Sequence, residues 1–438
     1  MAKTSIPIAR TWLAFLALGA AAFTLYGSLV PFVWLDRSWD EAIQKYRWVW
    51  THRILVESRA DALANCLLGF PVGFGLLGAL RLDQPQGFRT IATGLAVIPV
   101  CFLFASAVEF SQLWVLSRTC AASDVLAQTL GATMGVAIWL GFGEQIVRFA
   151  RAMWDSPNIG GRFGRALVFY GVFLLAVETL PWDFTASPGD WYRKRTQVTW
   201  VPFEELSEPL KYRVVPLDKS RAWVELVALF LPVGLLASGL PGLFRRWSGF
   251  PFVITFAFAL GTAMELAQWP VVSRHPSVTD ILIDSAAVLI GWILGRAIAN
   301  GQLPVVIPVL GWMGLLAIYH WWPMDFDASV VRERLESFDL KPFFSLESKH
   351  PMMWLEEVAV KALIMAPIGA AAVAAGPGRA ILLGLMLGLF YECGQLVMVR
   401  HYPSLTDVLL GGIGAAMGFM IAQALTREKT MTQPEATS

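Results

Sequence analysis

Three sets of polar residues interrupt otherwise apolar text. Glu109 and Gln112, Glu265 and Gln268, and Glu392 and Gln395 each form a Glu-x-x-Gln pair near the end of a long apolar run. Fifteen residues after each Glu stands an acid, Asp124, Asp280 or Asp407, with Arg118, Arg274 or Arg400 in between. Residues three apart share a helix face. Arg118 lies nine residues past Glu109, beyond the helix end, so it can fold back onto the carboxylate. Two chemistries fit this set. One is a salt bridge with amide support that fixes a helical hairpin. The other is a polar pocket in which Arg binds an anionic headgroup while Glu and Gln accept from its hydroxyl or amine donors. The Asp residues follow Ser123, Thr279 and Thr406 directly. That reads as a Ser/Thr N-cap with an acid in the first turn, which satisfies free N–H groups and complements the helix dipole. Capping does not exclude binding.

Further polar residues sit deeper. Positions 0, +4, +7 and +11 from each Asp form one helix face: Asp124/Gln128/Gly131/Gly135, Asp280/Asp284/Ala287/Gly291 and Asp407/Gly411/Gly414/Gly418. Small residues there let helices approach closely in lipid. Asp284 is a second acid one turn further in and needs a partner or a water-lined cavity. Lys361 is an intramembrane cation, and Glu357 four residues earlier makes an i, i+4 pair with it the default reading. His275 and His401 follow an Arg in two sets but Thr119 replaces them in the first, so they read as loop polar groups. There is no Walker loop, HExxH, GxSxG or Rossmann glycine set, and five scattered histidines suggest no metal site. No catalytic residue, metal or cofactor is expected.

The elements that must position these groups are membrane helices. The chain of 438 residues is 56% hydrophobic and only 15% charged, with mean hydropathy +0.56. Soluble domains carry about 25% charged residues. The net charge of +1 points to no nucleic-acid partner. Cys66, Cys101, Cys120 and Cys393 show no CxxC spacing, which argues against a disulfide framework or zinc site. Apolar runs of the length needed to cross a bilayer recur at 11–33, 60–80, 91–115, 123–142, 165–182, 222–240, 251–271, 279–298, 303–321, 354–375, 379–398 and 405–425. The first is too long for a cleaved signal peptide and reads as a retained helix. Lys and Arg are spread over both sides, so they do not set the orientation. The long loops near 34–59, 183–221 and 323–353 fall on one side and hold many Trp residues, which suits an outer interface and cytoplasmic termini.

The chain is one unit written three times. A Pro recurs in the second helix of each unit, at Pro71, Pro232 and Pro367. The first helix ends in similar text: Val30-Pro31-Phe32, Leu180-Pro181-Trp182 and Trp322-Pro323-Met324. The expected division is 1–155, 156–300 and 301–425, each a four-helix repeat, with a disordered polar tail at 426–438. An even helix number gives all three repeats one orientation, unlike inverted-repeat transporters.

Each unit resembles the VanZ-like membrane family, whose pattern is D-x3-N-x5-P in the second helix, E-x-x-Q closing the third, then an Arg and an Asp. Repeat one carries all of it, as Asp61, Asn65, Pro71, Glu109, Gln112, Arg118 and Asp124. Repeat three has Glu357 and Lys361 in place of the Asp and Asn, and repeat two has Ala222 and Leu226. The resemblance implies a cell-envelope setting and a link to reduced teicoplanin susceptibility, and it names no reaction. Glu356-Glu357-x3-Lys361 also approaches the EExxxR of CAAX-type membrane proteases, but the companion histidines those enzymes need are missing.

The sequence thus points to an all-α, polytopic integral membrane protein of about twelve transmembrane helices, in a bacterial-type inner membrane. The expected role is non-enzymatic: outer-facing pockets that bind a membrane lipid headgroup or a lipid-linked cell-wall precursor. Two alternatives stand beside it, a transporter or flippase and a membrane enzyme using Glu/Asp acid–base chemistry. Oligomeric state is left open.

Overall fold

The structure is a computed structural model that describes residues 6–30, 32–52, 59–85, 87–155, 159–185, 187–204, 217–338, 340–343 and 351–426. Among the described residues, each apolar run named above carries a helix over most of its length. Repeat one contains α1 (Ile6–Leu29), α2 (Trp39–His52), α3 (Arg59–Arg81), α4 (Phe88–Ser111) and α5 (Ala122–Ile138). A single π-turn at Trp139–Gly143 carries α5 into α6 (Glu144–Asp155). Repeat two contains α7 (Ile159–Glu178), α8 (Pro188–Arg195), α9 (Leu217–Ser238), α10 (Phe250–Gln268) and α11 (Val278–Ala299). Repeat three contains α12 (Val306–Trp321), α13 (Val331–Glu336), α14 (Pro351–Ala371), α15 (Pro377–Gln395) and α16 (Leu405–Thr426).

Among the described residues, eight helical stretches are long and apolar enough to cross a membrane. Ala222–Ser238 and Val306–Trp321 are shorter apolar helices. Strand-type pairing occurs among these residues only as isolated bridges. The protein is all-α and multi-pass. The expected tail began at Thr426, but α16 includes that residue, and 427–438 lie outside the described residues, as do 156–158 at the first expected joint.

Among the described residues, each repeat has a short helix besides the four long ones expected, and α6 continues the fourth long helix of repeat one. The extra helices, α2, α8 and α13, form in the polar segments after the first long helix. Their starts favour helix locally: Asp40 and Glu41, Asp190 behind a first-turn proline, and Glu333 place acids at the positive dipole end. In repeat one, Ala42 and Val49 of α2 share an apolar cluster with Leu113 and Cys120. The Trp39 and Tyr46 rings meet Phe110. The short helix thus covers the end of α4, where the Glu-x-x-Gln pair lies.

Within each repeat, the second and fourth long helices touch backbone to backbone. The glycine stripe makes this possible. A Cβ at Gly135 would run into the carbonyl oxygen of Phe70, one at Gly291 into that of Leu231, and one at Gly418 into that of Ala366.

The chain forms two compact units. One is Met1–Arg151 with Phe343–Met352, so it contains repeat one. The other is Ala152–Pro342 with Met353–Ser438, and repeats two and three share it. A single apolar core there takes Leu174, Phe230 and Val288 from repeat two and Leu316, Ile364 and Tyr391 from repeat three. Polar ties cross between those repeats, among them Arg162, which donates to the carbonyls of Ala424 and Leu425 at 3.4 and 3.2 Å. Tyr319 donates its hydroxyl to Glu225 at 3.0 Å, and Arg274 pairs with Glu356 at 2.6 Å.

Candidate functional site

Each repeat brings three chain ends together: the end of its first helix, the Glu-x-x-Gln end of its third long helix, and the start of its fourth. The same local framework holds all three. An isolated antiparallel bridge joins the segment after the first helix to the turn after Glu-x-x-Gln, as Trp34 with Val115, Phe184 with Val271, and Phe326 with Met398. A cation then seals that turn. Arg37 donates to the carbonyl of Leu113. Lys194 of α8, itself buried, donates to the carbonyls of Gln268, Val271 and Arg274. Arg334 of α13 does the same for Met398 and Val399. Carbonyls past a helix end attract such cations. Burial pushes the Lys194 ammonium below the usual lysine range, against the pull of Asp183.

The repeated Glu is a two-handed acceptor. Glu109 takes Gln112 Nε2 at 2.9 Å on one oxygen and the backbone N–H of Ala121 at 3.1 Å on the other. Glu392 takes Gln395 Nε2 at 3.0 Å and the Ser404 N–H at 2.7 Å. Glu265 takes the Ser277 N–H at 2.8 Å and a longer bond of 3.5 Å from Gln268. The backbone N–H lies twelve residues after the Glu each time. Ala121 and Ser277 are the N-caps of α5 and α11, and Ser404 immediately precedes α16. A carboxylate on the third helix therefore supplies the acceptor that the start of the fourth helix needs.

This geometry corrects two expectations. Arg118 does not hydrogen-bond to Glu109; it donates to the carbonyls of Gly27 and Val30 at 2.7 and 2.9 Å. Arg274 donates to Leu180 O at 2.7 Å and pairs with Glu356, and Arg400 pairs with Asp325 at 3.4 Å. In repeats one and two the Arg locks the end of the first helix through its open carbonyls, whereas Arg400 meets a side chain just past that helix. The cap also starts two residues earlier than Thr279 and Thr406. Ser277 and Ser404 accept from the N–H of those threonines at 3.1 Å. Asp124, Asp280 and Asp407 do lie in the first turns of their helices.

The deeper residues diverge between repeats. In repeat one, Asn65 accepts from Gln128 at 2.9 Å, joining α3 to α5, and Asp61 opens α3. In repeat three, Lys361 makes the expected pair with Glu357 at 2.8 Å. It also reaches both oxygens of Asp407, at 2.7 and 2.8 Å. In repeat two, Asp284 is 1% exposed, and its Oδ1 has no hydrogen-bond partner among the described residues. Glu178, Glu265 and Asp280 surround it electrostatically. His401 bonds the Trp322 carbonyl at 2.8 Å, a loop role as expected.

One position escaped the motif reading. Glu178 accepts from Gln268 at 2.9 Å, and His320 faces Glu392 at 3.8 Å. Both stand three residues before the proline that ends the first helix, where repeat one has Ser28. That shared offset was the available signal.

Comparison with known proteins agrees with the repeat geometry. The VanZ/LLP1 family model matches residues 6–145, 167–299 and 305–426, which is most of the chain. Among curated proteins and solved structures there is no match. The three matched segments each contain one copy of the framework described above, so the chain belongs to the VanZ/LLP1 family as three tandem units.

Proposed function

We propose that this protein is a non-enzymatic envelope component whose polar clusters bind a headgroup rich in hydroxyl or amine donors, on a membrane lipid or a lipid-linked cell-wall precursor. The observation that carries this reading is the open acceptor at Asp284. A buried carboxylate oxygen with no donor is costly. Its electrostatic neighbours Glu178, Glu265 and Asp280 are all carboxyl groups. Arg274, the nearby cation, is committed to Leu180 and Glu356. A ligand that satisfies this site must bring N–H or O–H groups and preferably positive charge.

The remaining Glu residues act mainly as scaffold in this reading, because both of their oxygens are engaged. An inner-membrane location with cytoplasmic termini places the clusters on the outer face. Sequestering a cell-wall precursor there, or altering the headgroups around it, would lower access of teicoplanin to its target.

The test is teicoplanin susceptibility in a susceptible host that expresses wild type or Asp284→Asn at matched membrane levels. Protection by wild type and its loss in Asp284→Asn is expected. Absence of protection by wild type overturns the antibiotic role, and full protection by Asp284→Asn removes that carboxylate from it.

A further inference from the structure

Repeat three differs from the other two in one respect that the headgroup reading does not use. Donor atoms of His320, Glu392 and Asp407 all lie within 4.8 Å of one another. They come from three separate helices: His320 near the end of α12, Glu392 near the end of α15, and Asp407 in the first turn of α16. The equivalent positions are Ser28, Glu109 and Asp124 in repeat one and Glu178, Glu265 and Asp280 in repeat two. Only repeat three combines an imidazole with two carboxylates.

We propose that His320, Glu392 and Asp407 bind a divalent transition-metal ion of the zinc class.

Three observations support it besides proximity. The first is orientation. The His320 ring is stacked on Tyr391, with centroids 4.8 Å apart and planes 6° from parallel, and Tyr319 packs edge-on against it at 5.0 Å. Tyr391 is held in turn by the Met313 carbonyl at 2.8 Å. The imidazole is thus fixed with Nδ1 3.8 Å from Glu392 Oε1. Donors on a tetrahedral zinc at ~2.0–2.1 Å stand roughly 3.3 Å apart, so small side-chain shifts close the set. The second is outer support. Gln395 and the Ser404 N–H hold Glu392, and Lys361 holds Asp407. Metal-ligating carboxylates are characteristically hydrogen-bonded in this way. Each bonded oxygen keeps a lone pair for the ion.

The third is charge. Glu357 and Asp407 pair with one ammonium, Lys361, while Glu392 adds a third carboxylate beside His320 and Arg400 is paired elsewhere to Asp325. With a neutral imidazole the cluster carries two net negative charges in a buried setting. A divalent ion brings it to zero, which low-dielectric surroundings favour. Imidazole with carboxylate donors suits zinc-class ions better than magnesium or calcium. Three protein donors leave a coordination position for water or for an oxygen of another ligand. The side chain of Asp407 is 11% exposed, which leaves that side open.

The experiment uses the untagged full chain in detergent, stripped with a chelator and titrated with zinc chloride. Wild type is expected to hold about one zinc per chain. Zinc X-ray absorption on that sample should show one imidazole with oxygen donors. His320→Ala and Glu392→Gln should each weaken binding at least about 100-fold, beyond the 10–100-fold typical of an outer-support residue. The wild-type spectrum stands by itself if a variant fails to fold. Absence of stoichiometric zinc in wild type overturns the proposal. So does zinc bound by two or more imidazoles, or binding unchanged in folded His320→Ala.

Discussion

Glu109→Ala and Glu109→Gln separate the scaffold role of the repeated Glu from its charge. In the wild type, one carboxylate accepts two hydrogen bonds, from Gln112 Nε2 at 2.9 Å and from the Ala121 N–H at 3.1 Å, and Glu109 is 1% exposed. Alanine removes both acceptors and leaves a side-chain amide and a helix-start N–H without partners. Hydrogen bonds to charged groups contribute about 1.5–3 kcal/mol each, so the expected loss is ~3–6 kcal/mol. Glutamine behaves differently. Its carbonyl can accept from Ala121 while its amide donates to the Gln112 oxygen, once the Gln112 amide turns over. Both contacts survive, and the loss should fall to about 2–3 kcal/mol, the charged-to-neutral difference of about 1–1.5 kcal/mol taken over the two bonds. Thermal unfolding of the protein in nanodiscs reads the order wild type, Gln, Ala. Equal loss for Gln and Ala would refute the two-handed acceptor, as would no loss for Ala.

The glycine stripe predicts overpacking. Gly135→Ala or Gly418→Ala should destabilise by about 1–3 kcal/mol, whereas Gly19→Ala, where a Cβ meets nothing within 4 Å, should not. Lys361→Met leaves Asp407 and Glu357 without their shared cation and should cost about 3–5 kcal/mol. Arg332→Met, whose pair with Glu336 is largely exposed, should leave the unfolding midpoint unchanged. At low pH, Asp83 gives a signed effect. Its bidentate pairing with Arg151 holds the carboxyl below the usual range. The associated stability is present above the unfolded Asp value of ~3.9 and is lost as pH falls through the lower folded value. Asp83→Asn should therefore flatten the acid limb of the unfolding curve below about pH 4, and an unaltered limb counts against the pairing.

The threefold spacing made the family unit and its helices legible. Glu-x-x-Gln, Arg and Asp recur at fixed offsets, and each apolar run folds as a helix. The partners of the Arg residues were not legible. Spacing shows that Arg118 can reach back to Glu109, yet the carbonyls of Gly27 and Val30 carry no side-chain signature and win because they are open. The caps at Ser277 and Ser404 were displaced from the expected threonines because Glu265 and Glu392 satisfy the N–H two residues earlier. Helices α8 and α13 are too short to be seen by periodicity; buried Lys194 and Arg334 dock them onto distant carbonyls. Glu178 and His320 were visible in principle, three residues before a repeated proline, but their side-chain types differ between repeats. Shared burial of repeats two and three follows from contacts such as Tyr319 with Glu225, which no motif encodes.

Recognition of donor-bearing headgroups is most directly tested by native mass spectrometry of the protein released from nanodiscs containing equal phosphatidylethanolamine and phosphatidylcholine. The two headgroups share a phosphate and a positive charge, but only ethanolamine has N–H donors. Retention of phosphatidylethanolamine severalfold above phosphatidylcholine by wild type, with the preference abolished in Asp284→Asn, is the expected result. Equal retention of both lipids by wild type, or an unchanged preference in a folded Asp284→Asn protein, would contradict it.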